Sequence, residues 1–105
     1  MEQSKLKLKI TDWAEEDRPR EKLLLKGVSS LSDAELIAIL IGSGNKNETA
    51  VELSQRILFS VNNNLNSLGK LTINDLVKNF NGIGEAKAIS IIAALELGKR
   101  RKSAE

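Results

Sequence analysis

The chain has 105 residues, 29% of them charged, with a net charge of +2 and neither cysteine nor histidine. Those absences exclude disulfides, thiolate chemistry, an imidazole base and almost every usual zinc or copper site. The length suits one domain with a modest core, and a charge of +2 is too small to indicate a nucleic-acid partner by itself.

Residues 1–16 lack helical periodicity. Leu6, Leu8 and Ile10 alternate with Lys5, Lys7 and Lys9, which suits an extended arm. This pattern is not the apolar run of a signal peptide, so a cytoplasmic protein is expected. Trp13 is expected at least half buried, as the anchor of the arm. Asp17-Arg-Pro-Arg-Glu opens a helix with Pro19 at its first position, and Gly27 is its expected stop. Ser32-Asp-Ala-Glu35 has the capping-box pattern. The helix it starts, Leu36–Ile41, is apolar nearly all round and is expected to be central and buried. It is far too short to span a bilayer, so no membrane partner is expected.

Gly42-Ser-Gly-Asn-Lys-Asn reads as a loop, and Thr49-Ala-Val-Glu52 as a second capping box. Ala50, Leu53, Ile57 and Val61 form an apolar stripe at helical spacing. Asn62–Asn66 breaks the pattern, Ser67–Leu71 suits one short turn, and Thr72 caps a helix leading to Phe80. One core is expected to gather Leu36, Leu40, Leu53, Ile57, Phe80, Ile83, Ile92 and Leu95.

The stretch from Leu76 to Leu95 carries the most information. Apolar Leu76, Val77 and Phe80 precede Gly82-Ile83-Gly84; Ala86, Ala88, Ile91, Ile92 and Leu95 follow. This is the pattern of a helix-hairpin-helix. Gly82 can end the first helix in a left-handed conformation, and Ile83 can pin the turn to the core. The second helix starts near Glu85, so its unpaired N–H groups and positive dipole end face the turn. That is a ready site for a phosphate oxygen. The candidate phosphate-binding residues are Gly82, Ile83, Gly84, Glu85, Ala86 and Lys87, the last expected to be exposed. The alternative is a plain αα-corner, and the Glu85 carboxylate counts against phosphate.

Residues 70–105 hold seven Lys/Arg against four acids, whereas residues 1–69 hold nine against ten. Lys78, Lys99, Arg100 and Arg101 are therefore supporting basic candidates. The run Lys99–Lys102 reads either as a mobile phosphate-binding arm or as basic residues suiting a helix C-terminus. Leu36, Ile37, Leu40, Gly42 and Gly44 recur as Leu76, Val77, Phe80, Gly82 and Gly84. This spacing is either a pseudo-two-fold pair of hairpin units, the first degenerate, or chance similarity. Other chemistry finds no support. The 42–47 loop lacks the Gly-Lys-Ser/Thr ending of a P-loop, and Ser32, Ser43 and Ser60 have no histidine partner.

Three separated motifs carry a family resemblance. Asp17-Arg-Pro-Arg-Glu-Lys-Leu-Leu, Leu31-Ser-Asp-Ala-Glu-Leu-Ile-Ala-Ile-Leu-Ile-Gly-Ser-Gly and Gly82-Ile-Gly-Glu-Ala-Lys-Ala, followed by Ala93-Ala-Leu-Glu-Leu, resemble the N-terminal region of RadC-family proteins. The match spans about residues 12–101. Members are bacterial and have been called DNA repair proteins. Their longer chains continue into a JAMM/MPN-type domain with a His-x-His plus Asp metal site and a Glu general base. The resemblance implies that this chain is the N-terminal domain alone, ending in the basic linker after Arg101.

The expectation is an all-α domain of about five helices: an arm over 1–16, a helix-hairpin-helix domain over 17–101, and a linker start over 102–105. The expected function is a non-catalytic, sequence-nonspecific DNA-binding module without cofactor or metal. The alternative is a scaffold domain that positions the JAMM/MPN-like domain, with a purely structural hairpin.

Overall fold

Three helices begin with the same local device. A hydroxyl caps the third backbone N–H of the helix, and the side chain at that position returns a bond to the cap. Ser32 and Glu35 exchange these bonds at 3.1 and 2.9 Å, Thr49 and Glu52 at 3.1 and 2.9 Å, Thr72 and Asp75 at 3.0 and 2.9 Å. Each pair satisfies donors that the helix start leaves orphaned. In a computed structural model describing residues 18–104, they open α2 (Asp33–Ile41), α3 (Ala50–Ser60) and α5 (Ile73–Asn79). Before them come α1 (residues 18–26) and a single 3-10 turn, Val28–Ser30. Between α3 and α5 lies α4 (Leu65–Gly69), and the last helix is α6 (Glu85–Ala104). The described residues are all-α, with no strand. The arm of residues 1–16, Trp13 and Asp17 lie outside the described residues, as does Glu105.

Terminators follow the sequence closely. Gly27, at φ +90°, ends α1, and its N–H donates to the Leu23 carbonyl at 2.9 Å. Asn62 and Asn63 both take positive φ after α3, a conformation asparagine tolerates. The short helix α4 begins two residues earlier than the expected turn, because the Asn64 side chain accepts the Ser67 N–H. At the other end, α6 runs on through Lys102–Ala104, where a linker is expected.

The core gathers Leu53, Ile57, Phe80 and Ile83 as expected, with Ile92 and Leu95 packed against it and half-buried. Leu68, Leu76 and Ile91 complete its centre. Leu40 is a correction: it is 39% exposed, and Leu36 is only half-buried. The inward side of α2 is Ala34, Ile37, Ala38 and Ile41. A helix apolar on every side still has one face toward its neighbours, and here that face meets α3 and α6. Small Ala34 and Ala38 let those helices approach closely.

The helix α1 is fastened to α2 by charge as well as burial. Pro19 is fully buried. Lys22 pairs with Glu35 at 3.2 Å, and Arg20 donates to the Ile39 carbonyl at 3.0 Å, near the negative end of α2.

Candidate nucleic-acid interface

The helices α5 and α6 form a hairpin whose turn is built in four residues. The helix α5 is closed by Phe80, whose N–H reaches the Leu76 carbonyl. Gly82 then takes φ +97°, which side chains with a Cβ rarely adopt. Ile83 is 3% exposed, so it does pin the turn to the core. Its N–H donates to the Phe80 carbonyl at 3.0 Å, which removes it from the candidate phosphate donors. Gly84 occupies the N-cap position of α6, and its carbonyl accepts the Ala88 N–H at 3.0 Å.

The N–H groups of Gly84, Glu85 and Ala86 meet no acceptor among the described residues. They stand at the positive end of a 20-residue helix. A Cβ on Gly84 would meet nothing within 4 Å, and its φ is not positive. Nothing among the described residues therefore demands glycine there. The backbone at Gly84 is open to close approach from outside.

The expected exposure of Lys87 is corrected by the structure. Lys87 is half-buried, and its amino group donates to the carbonyl and hydroxyl oxygens of Ser43, at 2.9 and 3.0 Å. Ser43 belongs to the loop between α2 and α3, so this contact joins the two glycine-bearing turns. Asn45 makes a second junction. Its Nδ2 donates to the Asn81 carbonyl at 2.7 Å, while its Oδ1 accepts the N–H groups of Asn47 and Glu48. A Cβ on Gly82 would lie 3.0 Å from the Asn45 Cβ and 3.1 Å from the Gly44 carbonyl oxygen. Gly82 is thus required twice, by its φ and by the neighbouring turn.

Electrostatics reinforce this junction. Arg56 forks onto Glu48 at 2.8 and 3.0 Å and lies over the Phe80 ring, 5.3 Å from its centroid. The Arg56 guanidinium, helped by the Asn45 amide, holds the Glu48 carboxyl below its ordinary value. The same pairing raises Arg56. Nothing in the sequence marks Ser43, Asn45 and Asn81 as site residues, because they meet the hairpin only through contacts 36 to 44 residues apart. The only local signal was the Asn-Lys-Asn stretch, since asparagine organises turns through its side chain.

The basic candidates do not form one cluster. Lys78 is exposed in the last turn of α5, close to the hairpin. Lys99, Arg100 and Arg101 are exposed in the last turns of α6, within the helix rather than on a mobile arm. At 1.5 Å per residue they stand about 21 Å from the hairpin turn. Arg100 is also paired with Glu96 at 2.9 Å. Among the described residues no three His, Cys, Asp or Glu side chains group as metal ligands. No helix among them is long and apolar enough to cross a membrane.

The described residues thus form a small all-helical domain in which two helical hairpins meet at their turns. Its sequence matches the family described as UPF0758 N-terminal over residues 10–89, and the chain belongs to that family. It is similar to a UPF0758 protein of Flavobacterium johnsoniae, 66% identical over 94 residues, covering 90% of this chain and 40% of that one. The UPF0758 protein of Porphyromonas gingivalis is 50% identical over 96 residues, covering 91% and 42%. That of Clostridioides difficile is 50% identical over 93 residues, covering 89% and 39%. The chain spans about 40% of the length of these curated relatives. No solved structure matches.

Proposed function

We propose that this chain is a non-catalytic, sequence-nonspecific DNA-binding module, the helix-hairpin-helix domain of a RadC-like protein. The single observation that carries this reading is the state of the Gly84 turn. Three N–H groups without an acceptor among the described residues stand at the start of α6, beside a glycine that no contact among those residues requires. A phosphate oxygen of the DNA backbone fits such a place by hydrogen bonding and by the helix dipole. Lys87 contributes its charge while staying tethered to Ser43. In the longer protein, a JAMM/MPN-like domain would be the part delivered to DNA.

Backbone contacts of this kind read no bases, so affinity should be independent of sequence. Nonspecific affinities run roughly 10⁻⁴–10⁻⁶ M. Two or three neutralised phosphates give a log–log salt slope of about −2 to −3. The test is a titration of fluorescent single-stranded, duplex and branched DNA at two salt concentrations, with Gly84→Asp beside the wild type. Aspartate is a good N-cap, so the variant should melt at or slightly above the wild-type temperature. Its side chain and charge should nonetheless abolish binding. Equal affinity for both proteins, or no binding at ~50 mM salt, removes the reading.

The second reading is a scaffold domain with a structural hairpin. The Lys87 tether to Ser43 and the exposed Glu85 at the turn favour it. The absence of DNA binding in the same titration supports it.

A further inference from the structure

The second turn holds a side chain that the fold does not use. Of the nine asparagines in the chain, Asn81 alone precedes a glycine. Asn45 and Asn64 build turns with their side chains. Asn81 is exposed, and its carboxamide meets no hydrogen-bond partner among the described residues. What Asn45 grips is the Asn81 backbone carbonyl, at 2.7 Å, which any residue would offer.

The following residue is fixed by the fold. Gly82 is required by its φ of +97° and by the 3.0 Å approach that a Cβ would make to the Asn45 Cβ. Its N–H meets no acceptor among the described residues. An exposed carboxamide therefore stands beside a backbone nitrogen that is neither hydrogen-bonded nor shielded by a side chain of its own. These are the two reactants of asparagine deamidation, the kind of reaction that makes asparagine thermolabile.

We propose that Asn81–Gly82 is a self-modification site in the open turn, converting to aspartate and isoaspartate with water as the only co-reactant. The Gly82 nitrogen bonds to Asn81 Cγ and gives up its proton. The Cγ–Nδ2 bond breaks, and ammonia leaves with that proton, closing a succinimide ring. Water then adds to one of the two ring carbonyls and cleaves its bond to nitrogen. Opening at Cγ leaves aspartate. Opening at the backbone carbonyl leaves isoaspartate, with the chain rerouted through the side chain. Either product places a carboxylate three residues before Gly84, at the positive end of α6. Isoaspartate also turns the carbonyl that Asn45 holds into a free carboxylate, which undoes the junction of the two turns. Asn45 is the brake on this reaction. Rotation about the Asn81 Cα–C bond brings the Gly82 nitrogen to Cγ, and the Asn45 bond restrains that rotation. Only the effect on DNA rests on the function proposed above: a carboxylate in the turn repels phosphate.

The test incubates the folded chain in mildly alkaline buffer and follows each asparagine by peptide mapping that separates aspartyl from isoaspartyl products. Asn81 should convert before the other eight asparagines, and Asn81→Gln should show no product at this position. Asn45→Ala should speed conversion at Asn81 roughly fivefold, the factor expected for one lost hydrogen bond. First conversion at another asparagine overturns the proposal, as does conversion of Asn81 in the urea-denatured chain but not in the folded one. An unchanged rate in Asn45→Ala overturns the role of Asn45. In a DNA titration, Asn81→Asp should bind several-fold more weakly than wild type. Equal binding overturns the consequence for DNA. A wild type that binds no DNA overturns the function proposed above, while conversion at Asn81 still decides the modification site.

Discussion

The two hairpins both carry Gly-x-Gly, and they use it in opposite ways. In the first, Gly42 takes φ +76° and Gly44 is walled in: a Cβ there would lie 2.0 Å from the Glu48 carbonyl oxygen and 2.6 Å from the Thr49 carbonyl carbon. In the second, Gly82 takes φ +97° and Gly84 faces open space. The first turn is closed on itself by Asn45 and Glu48. The second is pinned from below by Ile83 and left open above. One turn therefore serves as a buttress and the other as a surface, although their spacing in the sequence is the same. A glycine pair says where a chain turns; only the neighbours say what each glycine is for.

Four tests would break or sharpen this comparison. The largest effect belongs to Ile83→Asp, which places an unpaired charge in the core beneath the open turn. It should cost several kcal/mol and lower the melting temperature of the whole domain. A wild-type melt with protection lost only around residues 81–87 would show that the pin is dispensable.

Next comes the paired test of the second glycines. Gly44→Ala should destabilise by about 2 kcal/mol or more, because backbone atoms must move to admit the methyl group. Gly84→Ala should stay within about 0.5 kcal/mol of wild type. Denaturant unfolding of both variants measures the difference, and equal costs would erase the distinction between buttress and surface.

Asn45→Ala removes the bonds that hold the first loop and its contact with Asn81. A loss of about 1–2 kcal/mol is expected, together with faster hydrogen exchange in both turns. Faster exchange in residues 42–49 alone would mean that the two turns are not coupled through Asn45.

The smallest effect is acid sensitivity. Glu48 and Glu35 are held below their ordinary value of 4.5, Glu48 chiefly by Arg56 and Glu35 chiefly by the Ser32 N–H. Their stabilisation is fully present above that pH and is lost as pH falls through their lowered values. Glu48→Gln should therefore show a shallower loss of stability than wild type in melts between pH 5 and about pH 3. Parallel pH profiles would show that the Arg56 fork contributes nothing to the first turn.

Much of the architecture was legible because its signals are local. Each capping box lies within four residues, so Ser32–Glu35, Thr49–Glu52 and Thr72–Asp75 could be read directly, and the structure places all three. The stop at Gly27 and the pin at Ile83 were equally plain, since each depends on one residue type at one position. The buried face of α2 was not legible. Leu36–Ile41 is apolar on every side, so periodicity offered no phase, and Leu40 falls outward.

The candidate site divides along the same line. By itself the sequence determined the all-α class of the described residues, the starts of α2, α3 and α5 and an open helix start after Gly82-Ile83-Gly84, because those follow from dihedral preference and hydrogen bonds between near neighbours. Only the tertiary structure decided that Lys87 reaches Ser43, 44 residues away, and that Asn45 holds Asn81. These are contacts between distant segments, fixed by how helices pack and not by any preference of the residues themselves. The open space around Gly84 among the described residues is decided in the same way, since free space belongs to the packed fold and has no letter in the sequence.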